Sequence, residues 1–145
     1  MYFGKNILKY KEDILKDLKT IISLQSISGE NQGDCEAALN FILDKAKEFG
    51  LDTKNIENIA GHAQLGNSGD LCGVLTHLDV VPGGNNWDSL PFELTRKDGR
   101  LYGRGVADDK GAALITLYCL KALKDADVEG KNTLRAIYGT DEEKG

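Results

Sequence analysis

Apolar residues recur along this chain in helical and strand rhythms that alternate. Ile7, Ile14, Leu15, Leu18, Ile21 and Ile22 fall on one stripe, with lysines and acids between them, which predicts an amphipathic helix over 6–24. A polar loop of Ser, Gly and Asn follows over 25–33. Asp34 offers a cap for a second helix over 35–49, built on Ala37, Ala38, Phe41, Ile42, Ala46 and Phe49 and stopped by Gly50. Residues 51–59 read as a strand with its turn. The short aliphatic run over 71–76, bounded by turn residues, reads as a buried, central strand. Residues 92–94 and 100–102 flank Lys97-Asp98-Gly99, a hairpin signal. The segment 111–123 is apolar on most sides, as a buried helix would be, and 132–138 reads as a further strand. Strands alternating with helices predict an α/β fold, in which ligands bind at the carboxyl ends of parallel strands.

Composition narrows the function classes. At 145 residues, 41% hydrophobic and 28% charged, the chain has the size and make-up of one ordinary globular domain. A net charge of -5 argues against nucleic acid as a partner. No apolar run approaches the roughly 18 residues needed to cross a bilayer. Residues 1–19 are charged throughout and lack a signal-peptide core, so the expectation is a cytoplasmic protein with no membrane partner. Cys35, Cys72 and Cys119 are far apart and sit in apolar contexts, which predicts buried free thiols and excludes a zinc finger.

The candidate chemistry sits where the predicted strands end. His77 closes the run over 71–76, and Asp79 lies two residues on, pointing the same way in extended chain. This pair is half of a metal site, a base with its orienting partner, or a polar turn after a core strand. Asp108 and Asp109 follow a Gly-Arg-Gly loop and open the apolar helix. Capping would need one acid, and two adjacent acids would repel a phosphate. Glu142 and Glu143 follow the last strand. Imidazole with carboxylates is a ligand set for zinc or a related divalent ion, and paired glutamates let one bind metal while the other takes a proton. His62, without acids around it, reads as structural. Trp87 reads as a pin for the loop over 81–91 or as part of a pocket wall.

The segments THLDVVPGG, a Trp followed by PFE, DGRLYGRGVADDKGA and GTDEEKG, in this order and spacing, resemble the dinuclear zinc aminoacylase, carboxypeptidase and dipeptidase family of metallopeptidases. SLQSISGE near the start is similar to the family's usual opening. AGHAQLG and the GTDEE ending look most like the Xaa-His dipeptidase branch, with peptidase V and the carnosinase-like enzymes. The resemblance implies a three-layer sandwich with a mostly parallel central sheet flanked by helices, incomplete in this chain. It implies that His77 and Glu143 are metal ligands, that Asp108 bridges two zinc ions, that Asp79 orients His77 and that Glu142 is the general base. Manganese or cobalt are alternatives to zinc. It further implies a cis peptide between Asp108 and Asp109.

The family also uses a later acidic ligand, a distal histidine and a lid domain, none of which matches anything here. Residues 1–145 are therefore expected to be the amino-terminal part of the catalytic domain, without the lid and carboxyl-terminal parts. The fragment alone is expected to be inactive and to self-associate through the surface those parts would cover. The expected reaction of the whole protein is hydrolysis of a small peptide. The alternatives are an N-acyl amino acid amidohydrolase or carboxypeptidase of the same family, and a non-catalytic truncated scaffold or binding module.

Overall fold

The structure, a computed structural model, describes residues 4–128 and 130–144; Gly145, which ends the GTDEEKG segment, lies outside them. The chain opens with α1 (Gly4–Ile7), a 3-10 turn (Leu8–Tyr10) and α2 (Lys11–Ser23), then α3 (Gln32–Glu48). The strands β1 (Asp52–Ile56), β2 (Ala60–Leu65) and β3 (Leu71–His77) follow. A small hairpin of β4 (Thr95–Lys97) and β5 (Arg100–Tyr102), the helix α4 (Lys110–Asp125) and β6 (Thr133–Gly139) complete it. The architecture is α/β. The main sheet has the order β1-β2-β6-β3 and is mixed: β3 and β6 run parallel, while β1–β2 and β2–β6 are antiparallel.

The helices share one face of this sheet. Ala136 and Tyr138, two apart on β6, are fully buried and point to the same side. They join Ala63 of β2, Leu39 and Ile42 of α3, Ile21 and Ile22 of α2, and Leu114, Leu117 and Tyr118 of α4 in one core. Burying side chains of this size is worth about 1.5–3 kcal/mol each, so this face supplies most of the drive to fold.

Several expectations are corrected. β3 is not central but the edge strand, because the long crossover through α4 brings β6 in between it and β2. Nor is it buried: its residues from Leu71 to Leu75 are exposed, with Leu75 at 75%. The aliphatic run specifies a strand covered on both faces, but as the edge strand β3 has Leu75 on the open face and even Val74, level with the buried Ala136 on the helical face, exposed at 48%. Cys72 is exposed for the same reason, and Cys119 is only half-buried, whereas Cys35 is buried. The predicted helix over 6–24 is interrupted at the 3-10 turn, which sets the Tyr10 ring 5.8 Å from that of Tyr118.

α3 begins three residues early and Asn31, not Asp34, caps it; the Asn31 side chain accepts from the Asp34 amide. Asp34 instead accepts from the Gln25 backbone N–H at 3.0 Å, tying the preceding loop to the helix. The strand β2 has no counterpart in the sequence reading. It pairs with β1 through a turn in which Glu57 and Asn58 both take positive φ, a geometry that matches the twist of the two strands. The β4–β5 hairpin turns at Asp98 and Gly99, both at positive φ, but its first strand is Thr95–Lys97 rather than 92–94, with Lys97 paired to Arg100 instead of in the turn. Among the described residues, no helix is long and apolar enough to cross a membrane.

Candidate metal centre

The parallel pairing of β3 and β6 puts two strand ends side by side. His77, the last residue of β3, is in register with Gly139, the last of β6, and the Leu78 amide continues the ladder to the Gly139 carbonyl at 2.8 Å. Glu142 and Glu143 therefore emerge next to His77. The third element arrives from the loop before α4. Asp109 accepts a hydrogen bond from the His77 backbone N–H at 3.3 Å, and the Asp108–Asp109 peptide is cis, as the resemblance implies. Asp109 occupies the N-cap position of α4 but makes no side-chain cap bond, so its carboxylate serves β3 instead.

This loop is wound tightly. Gly111 lies so close to the Val106 carbonyl that a Cβ there would stand 2.1 Å from its oxygen. Gly105, at φ +89°, sits against the stem of Lys110. Lys110 is fully buried, its ammonium donating to the Leu24 carbonyl at 2.6 Å, and burial pushes its pKa down to about 8.

At the centre, His77 Nε2 lies 3.0 Å from Asp108 Oδ1 and 3.8 Å from Glu142 Oε2. One ligand atom each from His77, Asp108 and Glu143 lie within 4.8 Å of one another. His77 Nδ1 lies 3.0 Å from the Asp79 carbonyl oxygen, which can only accept, so Nδ1 carries a proton. Nε2 then faces carboxylate oxygens only. Either it holds a second proton, making an imidazolium, or its lone pair and the carboxylates share a cation. Burial disfavours the imidazolium, but the Asp108 carboxylate, the Asp79 carbonyl and the charges of Asp79 and Asp109 outweigh this and raise the His77 pKa. Burial and the nearby Asp108 carboxylate push Glu143 upward. Acceptors gathered without a matching donor are the chemistry of a divalent cation site, and the residues present fit one.

Asp79 is wholly buried beneath this cluster. Its Oδ2 accepts from the Glu143 backbone N–H at 2.9 Å and from the Ser28 hydroxyl. Burial alone would raise its pKa; the hydrogen bonds from Ser28 and Glu143 outweigh that and hold it below the ordinary carboxylate value. Oδ1 lies 3.4 Å from His77 Nδ1. Ser28 and the Glu143 amide are thus site components that the sequence reading does not single out, and Asp109, read there only as one of a pair of acids, serves the His77 backbone. Ser28 sits in the SISGE stretch, noted there only as part of a family-like opening.

His62 lies on β2 opposite Lys54 and Ile137, and burial, with Arg135 and Lys54 nearby, lowers its pKa. Trp87 pins its own loop. Its indole N–H donates to the Gly83 carbonyl at 2.6 Å, and the Arg104 guanidinium lies 5.4 Å from the centre of its ring. Beside the cluster, a cavity of about 440 Å³ is lined by Ile59, Leu75, His77, Asp109, Thr140 and Glu142.

The family model described as Peptidase family M20/M25/M40 matches residues 73–145. "Putative dipeptidase YtjP" of Bacillus subtilis (strain 168) is 36% identical, over 99% of this chain and 33% of that protein. Human carnosine dipeptidase 1 superposes with a TM-score of 0.86 at 23% identity, covering 99% of this chain and 35% of that one. The di-peptidase Dug1p from Saccharomyces cerevisiae gives a TM-score of 0.84, also at 23% identity and over the same shares. At such identities the two solved structures speak for the fold alone. This chain spans about a third of the length of the relatives it matches.

Proposed function

This chain belongs to peptidase family M20/M25/M40, and from that premise we propose that it is the amino-terminal part of the catalytic domain of a metal-dependent dipeptidase. The observation that carries the proposal is the convergence of His77, Asp108 and Glu143 at the common rim of β3 and β6. In this reading His77, Asp108 and Glu143 would hold the metal, with zinc the expected ion and manganese or cobalt as alternatives. Such ions supply Lewis acidity toward a peptide carbonyl and make a water acidic enough to be deprotonated near neutral pH. Glu142 takes the proton from the attacking water and returns it to the leaving amine. Asp79 keeps the His77 ring turned so that Nε2 faces the carboxylates of Asp108 and Glu142, where it would be free to ligate a metal. The name of the Bacillus subtilis relative favours a dipeptide over an acylated amino acid as substrate. The cytoplasm is the proposed location; free cysteines agree with a reducing compartment.

Two predictions belong to this reading. The cluster gathers one histidine and a few acids, which is fewer ligands than two ions need. The purified 145-residue chain is therefore expected to take up zinc weakly and to hydrolyse no dipeptide above a zinc-only blank, assayed by release of free amino acids. Robust turnover would refute the fragment assignment; a chain that takes up no divalent ion at all would refute the metal centre.

The second concerns the open side of β3. Leu71, Val74 and Leu75 are exposed along a strand that has no neighbour on its outer edge among the described residues. A bare apolar edge pairs with what it meets, here a second copy of the chain. Sedimentation should show concentration-dependent association, reduced by Leu75→Lys. A monomer at all concentrations, with the variant indistinguishable, counts against it.

A further inference from the structure

The loop over 25–30 is annealed to the chain just beyond His77 by bonds independent of any one side chain. The Val80 amide donates to the Ser26 carbonyl at 2.9 Å, the Ser28 amide donates to the Val80 carbonyl at 3.3 Å, and Ile27 forms a parallel bridge with Val80. The Ser26 hydroxyl adds a bond to the Leu78 carbonyl at 2.7 Å. This frame delivers the Ser28 hydroxyl to Asp79 Oδ2, the oxygen that also accepts from the Glu143 amide.

With Oδ2 held from two sides, the carboxylate cannot rotate. Oδ1 accepts no hydrogen bond among the described residues, although it is buried and 3.4 Å from His77 Nδ1. The Nδ1 proton stays on the Asp79 carbonyl, and Oδ1 acts on the ring as a fixed negative charge. We propose that Ser28 is a positioning residue for the metal centre. Its hydroxyl locks the Asp79 carboxylate, and through Asp79 it fixes the tilt of the His77 imidazole and the Glu143 backbone. The proposal rests on the metal reading above for its consequence, but the lock itself is a feature of the metal-free chain. Freed of the hydroxyl, the carboxylate turns on its remaining donor and competes with the carbonyl for the Nδ1 proton.

The test compares the chain with Ser28→Ala and Ser28→Thr. Because the loop is held by backbone bonds, both variants should fold, and circular dichroism with a thermal melt in the absence of metal checks this. Zinc affinity, measured by competition with a chromophoric chelator, should fall about 10-fold in Ser28→Ala, the usual effect of removing a partner behind a ligand, and stay within about twofold in Ser28→Thr. Independently of metal, the proton-bearing Nδ1 of His77 should exchange faster in nitrogen NMR of Ser28→Ala, with Ser28→Thr like the parent. Equal affinity in all three proteins, or equal loss in both variants, overturns the proposal. If the parent binds no zinc, the metal reading fails and the NMR comparison alone decides: an unchanged His77 signal in Ser28→Ala overturns the lock, and faster exchange upholds it.

Discussion

Replacing His77 with alanine should weaken zinc binding by more than about 100-fold, since even residues one step behind a ligand cost 10- to 100-fold. The effect is large because His77 is the only neutral donor in the cluster and the point at which its three elements meet. Nε2 faces Asp108 and Glu142, Nδ1 faces Asp79, and the backbone N–H holds Asp109. The same residue sets the pH dependence. Its protein neighbours raise the His77 pKa, so its ring is an imidazolium below that value and must lose a proton to bind an ion. Affinity should be independent of His77 above its raised pKa and fall as pH drops through it, by about tenfold per pH unit when one proton is displaced. Glu143, also raised, adds to the fall in the same direction. Zinc titrations across pH check both statements. A His77→Ala chain that binds as the parent does, or affinity flat into acid, would contradict the ligand assignment.

Gly111→Ala should destabilise the fold by on the order of 3 kcal/mol, the upper range for overpacking. The added Cβ would lie 2.1 Å from the Val106 carbonyl oxygen, a backbone atom that cannot swing aside as a side chain tip can. Relief requires the turn over 103–109 to open, and that turn carries Asp108. A useful contrast is Gly99→Ala at the β4–β5 turn. That glycine has φ +75° but nothing within 4 Å of the new atom, so only backbone strain of about 1–2 kcal/mol applies. Urea unfolding of the two variants should rank them in this order. The reverse ranking would show that the loop over 103–109 yields easily.

The chemistry of this chain was more legible than its topology, for a physical reason. His77 with Asp79, Asp108 with Asp109 and Glu142 with Glu143 are local signals, each dense in residues that are costly to gather without a purpose. Their meeting followed from one inference, that the strands over 71–76 and 132–138 run parallel, and β3–β6 does so. Strand order is a different kind of fact. Nothing in the run over 71–76 says that β6 will separate it from β2 and leave it at the edge, so Cys72 and Leu75, on opposite faces, read as core and are both exposed. The strand β2 escaped notice because Ala60-Gly61-His62-Ala63 has little apolar alternation; its place is set by the turn at Glu57 and Asn58. Ser28 was illegible for the simplest reason: its partner Asp79 is 51 positions away and the contact leaves no periodic trace.

The free edge of β3 also determines how this unit can grow. The outer backbone groups along 71–75 could accept a new strand without disturbing the β3–β6 ladder or the bond from the His77 N–H to Asp109. Laid parallel, that strand would finish beside His77, so whatever side chain stood at its carboxyl terminus would reach the same acidic cluster from the opposite flank. Extension of the sheet and enlargement of the coordination sphere would then be a single event.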